Sequence, residues 1–186
     1  MWSSRAKRIV AECRECPYID KPYIEHHVFE LYAPQQLGVL VISESPPPGR
    51  KPDFLYNLEH SDRLRRLLAK AFSVPEQEVP RWLSSRGAFW AMAAMCRPPS
   101  KGLVKHMASR CRRVLAEIIE LAKPRCIAVL GRVAEESYRA ISSGLRYRPA
   151  RVLVDRHPLY VARFERHRLD SYLKALRDLI DECSRL

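Results

Sequence analysis

Apolar positions along the chain fall into short continuous runs and into longer segments with helical spacing. The short runs predict strands over residues 37–45, 88–96, 126–131 and 151–158. The run at 88–96 also fits the end of a helix, and a strand is preferred because it leads into Arg-Pro-Pro. The longer segments, where apolar residues recur every three or four positions, predict helices over residues 58–72, 76–84, 102–123, 132–141 and 167–186.

This alternation of strands and helices is typical of the α/β class. It predicts a three-layer α/β/α sandwich with a mostly parallel central sheet, formed by residues 1–186 as a single domain. The stretch SPPPGRKPDF at 45–54 continues neither strand nor helix, so it predicts a loop. In parallel sheets ligands bind beyond the carboxyl ends of the strands. We therefore expect the loops that follow the four strands to share one functional face.

The excess of positive charge indicates which class of partner the protein binds. The chain has 33 Lys and Arg against 21 Asp and Glu, for a formal net charge of +12. Such an excess favours a polyanion, with nucleic acid first and an acidic membrane surface second. The ion-pair networks of hyperthermophile surfaces are an alternative, although they carry nearly equal numbers of each sign. Asparagine and glutamine are scarce, and the chain has 14 prolines but only 6 glycines. This composition favours a thermophilic source.

No apolar run is long enough to predict a transmembrane helix. The first residues, MWSSRAKRIVAEC, are charged and lack the apolar region of a signal peptide. We therefore expect a cytoplasmic protein without a membrane partner, and a monomer.

Two of the six cysteines, Cys126 and Cys183, fit a structural role in the core. Cys126 lies in a predicted strand and Cys183 in the last predicted helix. Disulfides are uncommon in intracellular proteins, so both are expected to be packing residues.

The other four cysteines form a more specific pattern. Cys13 and Cys16 make a Cys-x-x-Cys before proline, and fourteen residues separate Cys96 from Cys111. If the loop after the 88–96 strand folds back on the following helix, four thiolates can converge. The spacing suits a [4Fe–4S] cluster at least as well as zinc, and it does not separate the two.

Taken together, these cysteines and their surroundings resemble the iron–sulfur (family 4) uracil-DNA glycosylases of bacteria and archaea. That family carries a KCRPP stretch, similar to Cys96-Arg97-Pro98-Pro99 here, followed by a helix with its fourth cluster cysteine. Ser43-Glu44-Ser45-Pro46 resembles its first motif, GE-x-P-G. Residues 121–138 are similar to its LKPKVIVALGxxA segment, and RHPLY at 156–160 to its HPS motif. The resemblance spans nearly the whole chain.

The resemblance implies cluster ligands and catalytic residues. Cys13, Cys16, Cys96 and Cys111 would hold a structural [4Fe–4S] cluster, with zinc as the alternative. Glu44 would hold or orient water near the sugar. His157 would face the base carbonyl as the glycosidic bond breaks, which suits the charge that develops there.

The resemblance also implies how DNA with a flipped-out base would be bound. Phe54 or Tyr56 would stack on the base. The candidate base-binding residues are Ser43, Phe54, Tyr56, Asn57 and Met92. The candidate DNA-binding residues are basic and near the expected functional face: Arg50, Arg97, Lys101, Arg156 and Arg163.

Two departures from the family concern the recognised base. The asparagine that reads uracil, four residues before the KCRPP cysteine, is replaced by Met92, and PDFLYNLEHS replaces the family's PFVGxAG loop. The expected function is a repair glycosylase that hydrolyses the N-glycosidic bond of uracil or another altered base. The alternative is a non-catalytic DNA-binding relative that keeps the iron–sulfur cluster.

Overall fold

The computed structural model describes residues 1–184. Its four parallel strands form one sheet in the order β2-β1-β3-β4. The strands are β1 (Val39–Ser43), β2 (Ala88–Met92), β3 (Cys126–Leu130) and β4 (Arg151–Asp155). The first three are buried throughout, as continuous apolar runs predict, and β4 is a partly exposed edge strand.

Helices surround the sheet in two groups. One group consists of α8, which packs on β1 and β3, together with α7 and α1; the other consists of α10, which packs on the same strands, together with α4 and α9. The helices are α1 (Trp2–Glu12), α2 (Pro22–Glu25), α3 (Val28–Leu31), α4 (Arg63–Phe72), α5 (Val79–Ser85), α6 (Val104–Arg110), α7 (Arg112–Ala122), α8 (Arg132–Ser142), α9 (Pro158–Phe164) and α10 (Leu169–Ser184). The predicted three-layer α/β class is confirmed.

The cysteine-bearing segments depart from the predicted elements. The single helix expected over 102–123 is wrong, because the chain turns at Cys111 and divides it into α6 and α7. The N-terminal helix α1 was not predicted, although Trp2, Ala6 and Val10 give it an apolar face with a spacing of four. The Trp2 indole N–H also donates to the carbonyl of Pro34 (2.9 Å), which fixes the start of this helix.

Cys126 and Cys183 are buried in the core as predicted, but the expectation that they form no disulfide is wrong, because they are bonded to each other. It joins the start of β3 to the end of α10 across 57 positions. Gly38 explains the close approach, since a Cβ there would lie 2.5 Å from the carbonyl oxygen of Cys183. The Cys126 N–H in turn donates to the Gly38 carbonyl (2.9 Å), so the helix end and the strand start meet at this glycine.

No helix within residues 1–184 is long and apolar enough to cross a membrane.

Candidate active site and cysteine cavity

The carboxyl ends of the strands gather the predicted catalytic side chains. Glu44 follows β1, Gly131 follows β3 and His157 lies two residues beyond β4. The chain leaves β1 toward β2 on one side and later enters β3 on the other, so the sheet has a topological switch point between β1 and β3. With roughly 4.8 Å between adjacent strands, the ends of β1 and β4 lie about 10 Å apart. This edge is therefore the natural position for a ligand.

Glu44 is half-buried at the end of β1. Its carbonyl accepts the N–H of Ala94 (3.0 Å), which extends the pairing of the two strands and fixes the backbone of Glu44. Burial raises the pKa of its carboxyl group, and the charges of Lys101 and Lys105 oppose that rise. The carboxylate is thus partly desolvated and lies beside two exposed cations.

His157 caps the N-terminus of α9. Its Nδ1 accepts the N–H of Leu159 (3.2 Å). Burial lowers the pKa of the imidazole to about 4, so the ring is neutral at pH 7. Because Nδ1 is an acceptor, the ring proton resides on Nε2. His157 therefore offers a neutral N–H donor to a ligand at the strand ends.

Gly131 lets His157 pack against the turn between β3 and α8. Its φ of +99° lies in the region that favours glycine, and a Cβ there would lie 3.3 Å from the Cβ of His157. The Gly131 N–H donates to the carbonyl of Asp155 (2.8 Å), which joins the ends of the two strands. A side chain at this position would both strain the turn and displace the histidine.

A network of polar contacts holds the segment that carries His157. Asp155 pairs with Arg168 (2.8 Å), which also pairs with Glu165 (2.7 Å). The Tyr172 hydroxyl donates to the carbonyl of Arg156, the residue just before the histidine (2.8 Å). These contacts orient the start of α9 before any ligand arrives.

Phe54 and Tyr56 lie in the core and not beside a ligand cleft. Phe54 has no exposed surface and its ring packs edge-on against Tyr23, with 5.2 Å between centroids. The Tyr56 hydroxyl accepts the N–H of Trp90 (2.9 Å) and lies 3.2 Å from the Trp90 carbonyl. A base can stack only on an exposed ring face, so these positions argue against the stacking role expected from the sequence.

The other base-binding candidates are also buried. The Ser43 hydroxyl accepts the indole N–H of Trp90 (2.9 Å), and Met92 pairs with Ser43 at the end of β2. The Asn57 amide donates to the carbonyl of Pro52 (2.9 Å) and accepts the N–H of Glu59 (3.2 Å). The single asparagine of the chain thus stabilises its own loop, so its amide is occupied.

Four of the five predicted DNA contacts are exposed side chains: Arg50, Lys101, Arg156 and Arg163. Arg97 is the exception and corrects the expectation. It is only 2% exposed, and its Nε lies 2.9 and 2.8 Å from the two carboxylate oxygens of Asp20. Its Nη1 donates to the carbonyls of Pro47 (3.1 Å) and Asp53 (3.4 Å). The guanidinium therefore joins three protein segments and is not available to phosphates.

Replacing Arg97 with methionine is expected to lower the free energy of unfolding by about 2–4 kcal/mol. The substitution leaves the Asp20 carboxylate without its cation and the carbonyls of Pro47 and Asp53 without their donor; partial exposure of Asp20 keeps the loss below that of a fully buried pair. Chemical denaturation measures the effect. The matched control is Arg163→Met, an exposed arginine, where the change should stay within about 0.5 kcal/mol. Equal stability of the two variants would contradict the role given to Arg97.

The four remaining cysteines surround one small cavity. The cavity brings together the loop after α1, the loop after β2 and the junction of α6 with α7, and its lining includes Cys13, Cys16, Cys96, Cys111, Ala94, Met95 and Met107. Burial raises the pKa of the Cys96 and Cys111 thiols to about 12. Binding a metal would require both to lose their protons.

The donor set fits a group held by thiolates. Four cysteines from three segments, in otherwise largely apolar surroundings, match the ligand chemistry of both zinc and iron–sulfur centres. Within residues 1–184, no three or more His, Cys, Asp or Glu side chains are arranged around a single ion position.

Lys21 is a buried cation that the sequence did not indicate as part of this region. Its ammonium group donates to the carbonyls of Val10 (2.9 Å), Ala11 (2.7 Å) and Cys13 (2.7 Å). It therefore caps the end of α1 and fixes the backbone of the first cysteine. The available signal was the charged pair Asp20-Lys21, which begins four residues after Cys16.

A family model, the uracil DNA glycosylase superfamily, matches residues 29–180. The match covers most of the chain and includes the whole sheet, Glu44 and His157, so this protein belongs to the uracil DNA glycosylase superfamily. It begins after Cys13 and Cys16 and therefore does not distinguish the iron–sulfur branch. No curated protein matches the chain.

Proposed function

We propose that this protein is a DNA glycosylase that hydrolyses the N-glycosidic bond of a flipped-out altered base. The observation that carries the proposal is the pair Glu44 and His157, positioned at the carboxyl edge of the sheet in a chain of this superfamily. One residue is a carboxylate and the other is a neutral hydrogen-bond donor, and the switch point lies between them.

These two groups suit the charges that develop when the bond breaks. The sugar becomes cationic and the departing base anionic. The Glu44 carboxylate stabilises the cation and orients the attacking water, while the Nε2–H of His157 donates to the oxyanion of the base. Because the low pKa keeps His157 neutral, its hydrogen bond forms without burying a second full charge.

The exposed basic residues would bind the DNA backbone. Arg50, Lys101 and Arg156 are exposed on loops or helix starts, and the chain as a whole has a net charge of +12. Contacts with phosphates provide affinity without reading sequence. That affinity helps to offset the few kcal/mol needed to flip a nucleotide from the stack.

We further propose that the four cysteines bind a [4Fe–4S] cluster, with zinc as the alternative. In either case the group would be structural and would cross-link the segments that carry Cys13, Cys16, Cys96 and Cys111. Arg97, adjacent to one of them, extends this support by hydrogen bonds to the carbonyls of Pro47 and Asp53 in the loop that follows Glu44. The proposed role is thus to stabilise the loops around the site.

A non-catalytic DNA-binding protein of the same superfamily remains the second candidate. A specific observation favours it: Met92 offers no amide at the end of β2, and the Asn57 amide is occupied within its loop. Either the protein reads a base other than uracil through different groups, or it has lost base recognition.

An oligonucleotide panel separates the two candidates. The protein is incubated with single-stranded and duplex DNA that contains uracil, hypoxanthine, xanthine or a mismatched thymine, and abasic product is measured after alkaline cleavage. Product on at least one modified strand, and none on the matched unmodified strand, is the expected result. Normal DNA binding without product on any strand would overturn the enzymatic proposal in favour of the non-catalytic one.

A further inference from the structure

Helix α9 has two aromatic rings on its outer surface. Tyr160 is 43% exposed and Phe164 is 61% exposed, whereas most aromatic side chains of the chain are buried. They lie one helical turn apart, with 4.9 Å between ring centroids and 45° between ring planes. Exposed aromatic side chains that lie next to each other commonly mark a binding surface.

Two arginines flank these rings. The Arg156 guanidinium lies 5.5 Å from the centroid of Tyr160, and that of Arg163 lies 5.0 Å from the centroid of Phe164. Both arginines are exposed, and neither guanidinium forms an ion pair within residues 1–184, although the charge of Arg156 helps to lower the pKa of the neighbouring Asp155 carboxyl group. The surface thus combines aromatic faces with two exposed cations. We call Arg156, Tyr160, Arg163 and Phe164 the α9 platform.

The opposite side of α9 anchors the platform. Val161 is fully buried and packs with Tyr172 and Leu173 of α10 and against Leu67 of α4. The N–H of Tyr160 donates to the carbonyl of His157 (2.9 Å), so the platform begins within one helical turn of the candidate catalytic histidine. Its rings are therefore held on the outside of a fixed helix, next to the proposed site.

We propose that the α9 platform stacks on unpaired bases of the DNA strand next to the reacting nucleotide. The protein would consequently prefer single-stranded or locally unpaired DNA to perfect duplex. This inference rests on the proposed DNA-binding function and specifies the form of the substrate.

The chemistry of the platform favours an unpaired strand over a duplex. Aromatic rings on a cationic surface can stack on any base, because every base has a π-face, while the arginines neutralise phosphates. In a duplex those faces are already stacked within the helix, so the rings would gain contact only after the strands open. Arginine contacts with phosphates are equally available in both forms, so the preference depends on the two rings.

Binding to unmodified DNA tests the inference without relying on base release. Fluorescence anisotropy measures the affinity of the full chain for a labelled single strand and for its perfect duplex, each over a range of salt concentrations. The variants are Tyr160→Ala/Phe164→Ala, the conservative Tyr160→Phe/Phe164→Tyr, and Arg156→Ala/Arg163→Ala. The control is Leu31→Ala, which removes an exposed apolar side chain from α3.

The aromatic-to-alanine variant should bind the single strand about tenfold or more weakly, with duplex affinity and salt dependence unchanged. The aromatic-to-aromatic variant and Leu31→Ala should bind both forms like the parent protein. The arginine variant should weaken both forms and lessen the salt dependence. Equal losses for both forms, or no loss, with the aromatic-to-alanine variant would overturn the inference and leave the proposed function standing. Failure of the parent protein to bind any DNA would overturn both.

Discussion

The Glu44→Gln variant is expected to release the altered base about 10²–10⁴-fold more slowly than the parent protein. Glutamine keeps the shape of the side chain but removes the negative charge that would stabilise the cationic sugar and orient water. Within residues 1–184 the Glu44 carboxylate forms no hydrogen bond and no ion pair, so the substitution should leave the fold unaffected. Single-turnover kinetics on the strand identified by the oligonucleotide panel measures the rate.

The pH dependence distinguishes the two proposed groups. Burial raises the pKa of Glu44 above its ordinary value of 4.5, and activity needs the ionised form, so activity should fall as the pH drops through that raised pKa. The low pKa of His157, about 4, keeps the imidazole neutral through most of this range. The acid limb should therefore belong to Glu44 and should disappear in Glu44→Gln.

The matched control is Glu59→Gln, an exposed glutamate on the loop before α4. It should keep the parent rate and pH profile. Unchanged product formation by Glu44→Gln would remove this residue from the mechanism, and a retained acid limb would assign that limb to another group.

Loss of the proposed metal centre is the second large effect that we expect. The parent protein, purified without oxygen, should contain about four irons and four sulfides per chain and show the visible absorbance of an iron–sulfur centre. Cys111→Ser should lose most of the iron and this absorbance, because Cys111, at the junction of α6 and α7, is one of the four proposed ligands. Metal analysis and absorbance spectroscopy measure both changes.

The disulfide provides a matched cysteine control. Cys183→Ser removes a cysteine outside the cavity, so it should keep the iron content of the parent protein. A colourless parent protein that contains about one zinc per chain would show that the site binds zinc and not a cluster. A protein with neither metal would contradict both proposals. Iron loss in Cys183→Ser equal to that in Cys111→Ser would show that the measurement reports general damage.

The sequence predicted features that depend on local pattern. Continuous apolar runs indicated the strands, and the order of strands and helices indicated which edge of the sheet would gather Glu44 and His157. The environment of individual side chains could not be predicted in this way. Arg97 has the charge of a DNA contact, but its partner Asp20 is 77 positions away. Composition does not show whether an aromatic ring such as Phe54 faces the core or a ligand.

Long-range geometry also explains the missed disulfide. Cys126 and Cys183 meet because Gly38 lets the end of α10 approach the sheet, and no pattern near either cysteine reports that approach. Intracellular disulfides are typical of hyperthermophiles, which agrees with the composition, while a thermophilic source and a cytoplasmic location both stay predictions.

The contact between Gly131 and His157 restricts which residues related sequences can carry at these two positions. The glycine leaves the space in which the imidazole stands, with only 3.3 Å between a Cβ at position 131 and that of the histidine. The two positions therefore constrain each other during divergence, although they follow different strands. A descendant that gains a side chain after β3 must move or lose the histidine after β4, so the pair should be inherited or abandoned together.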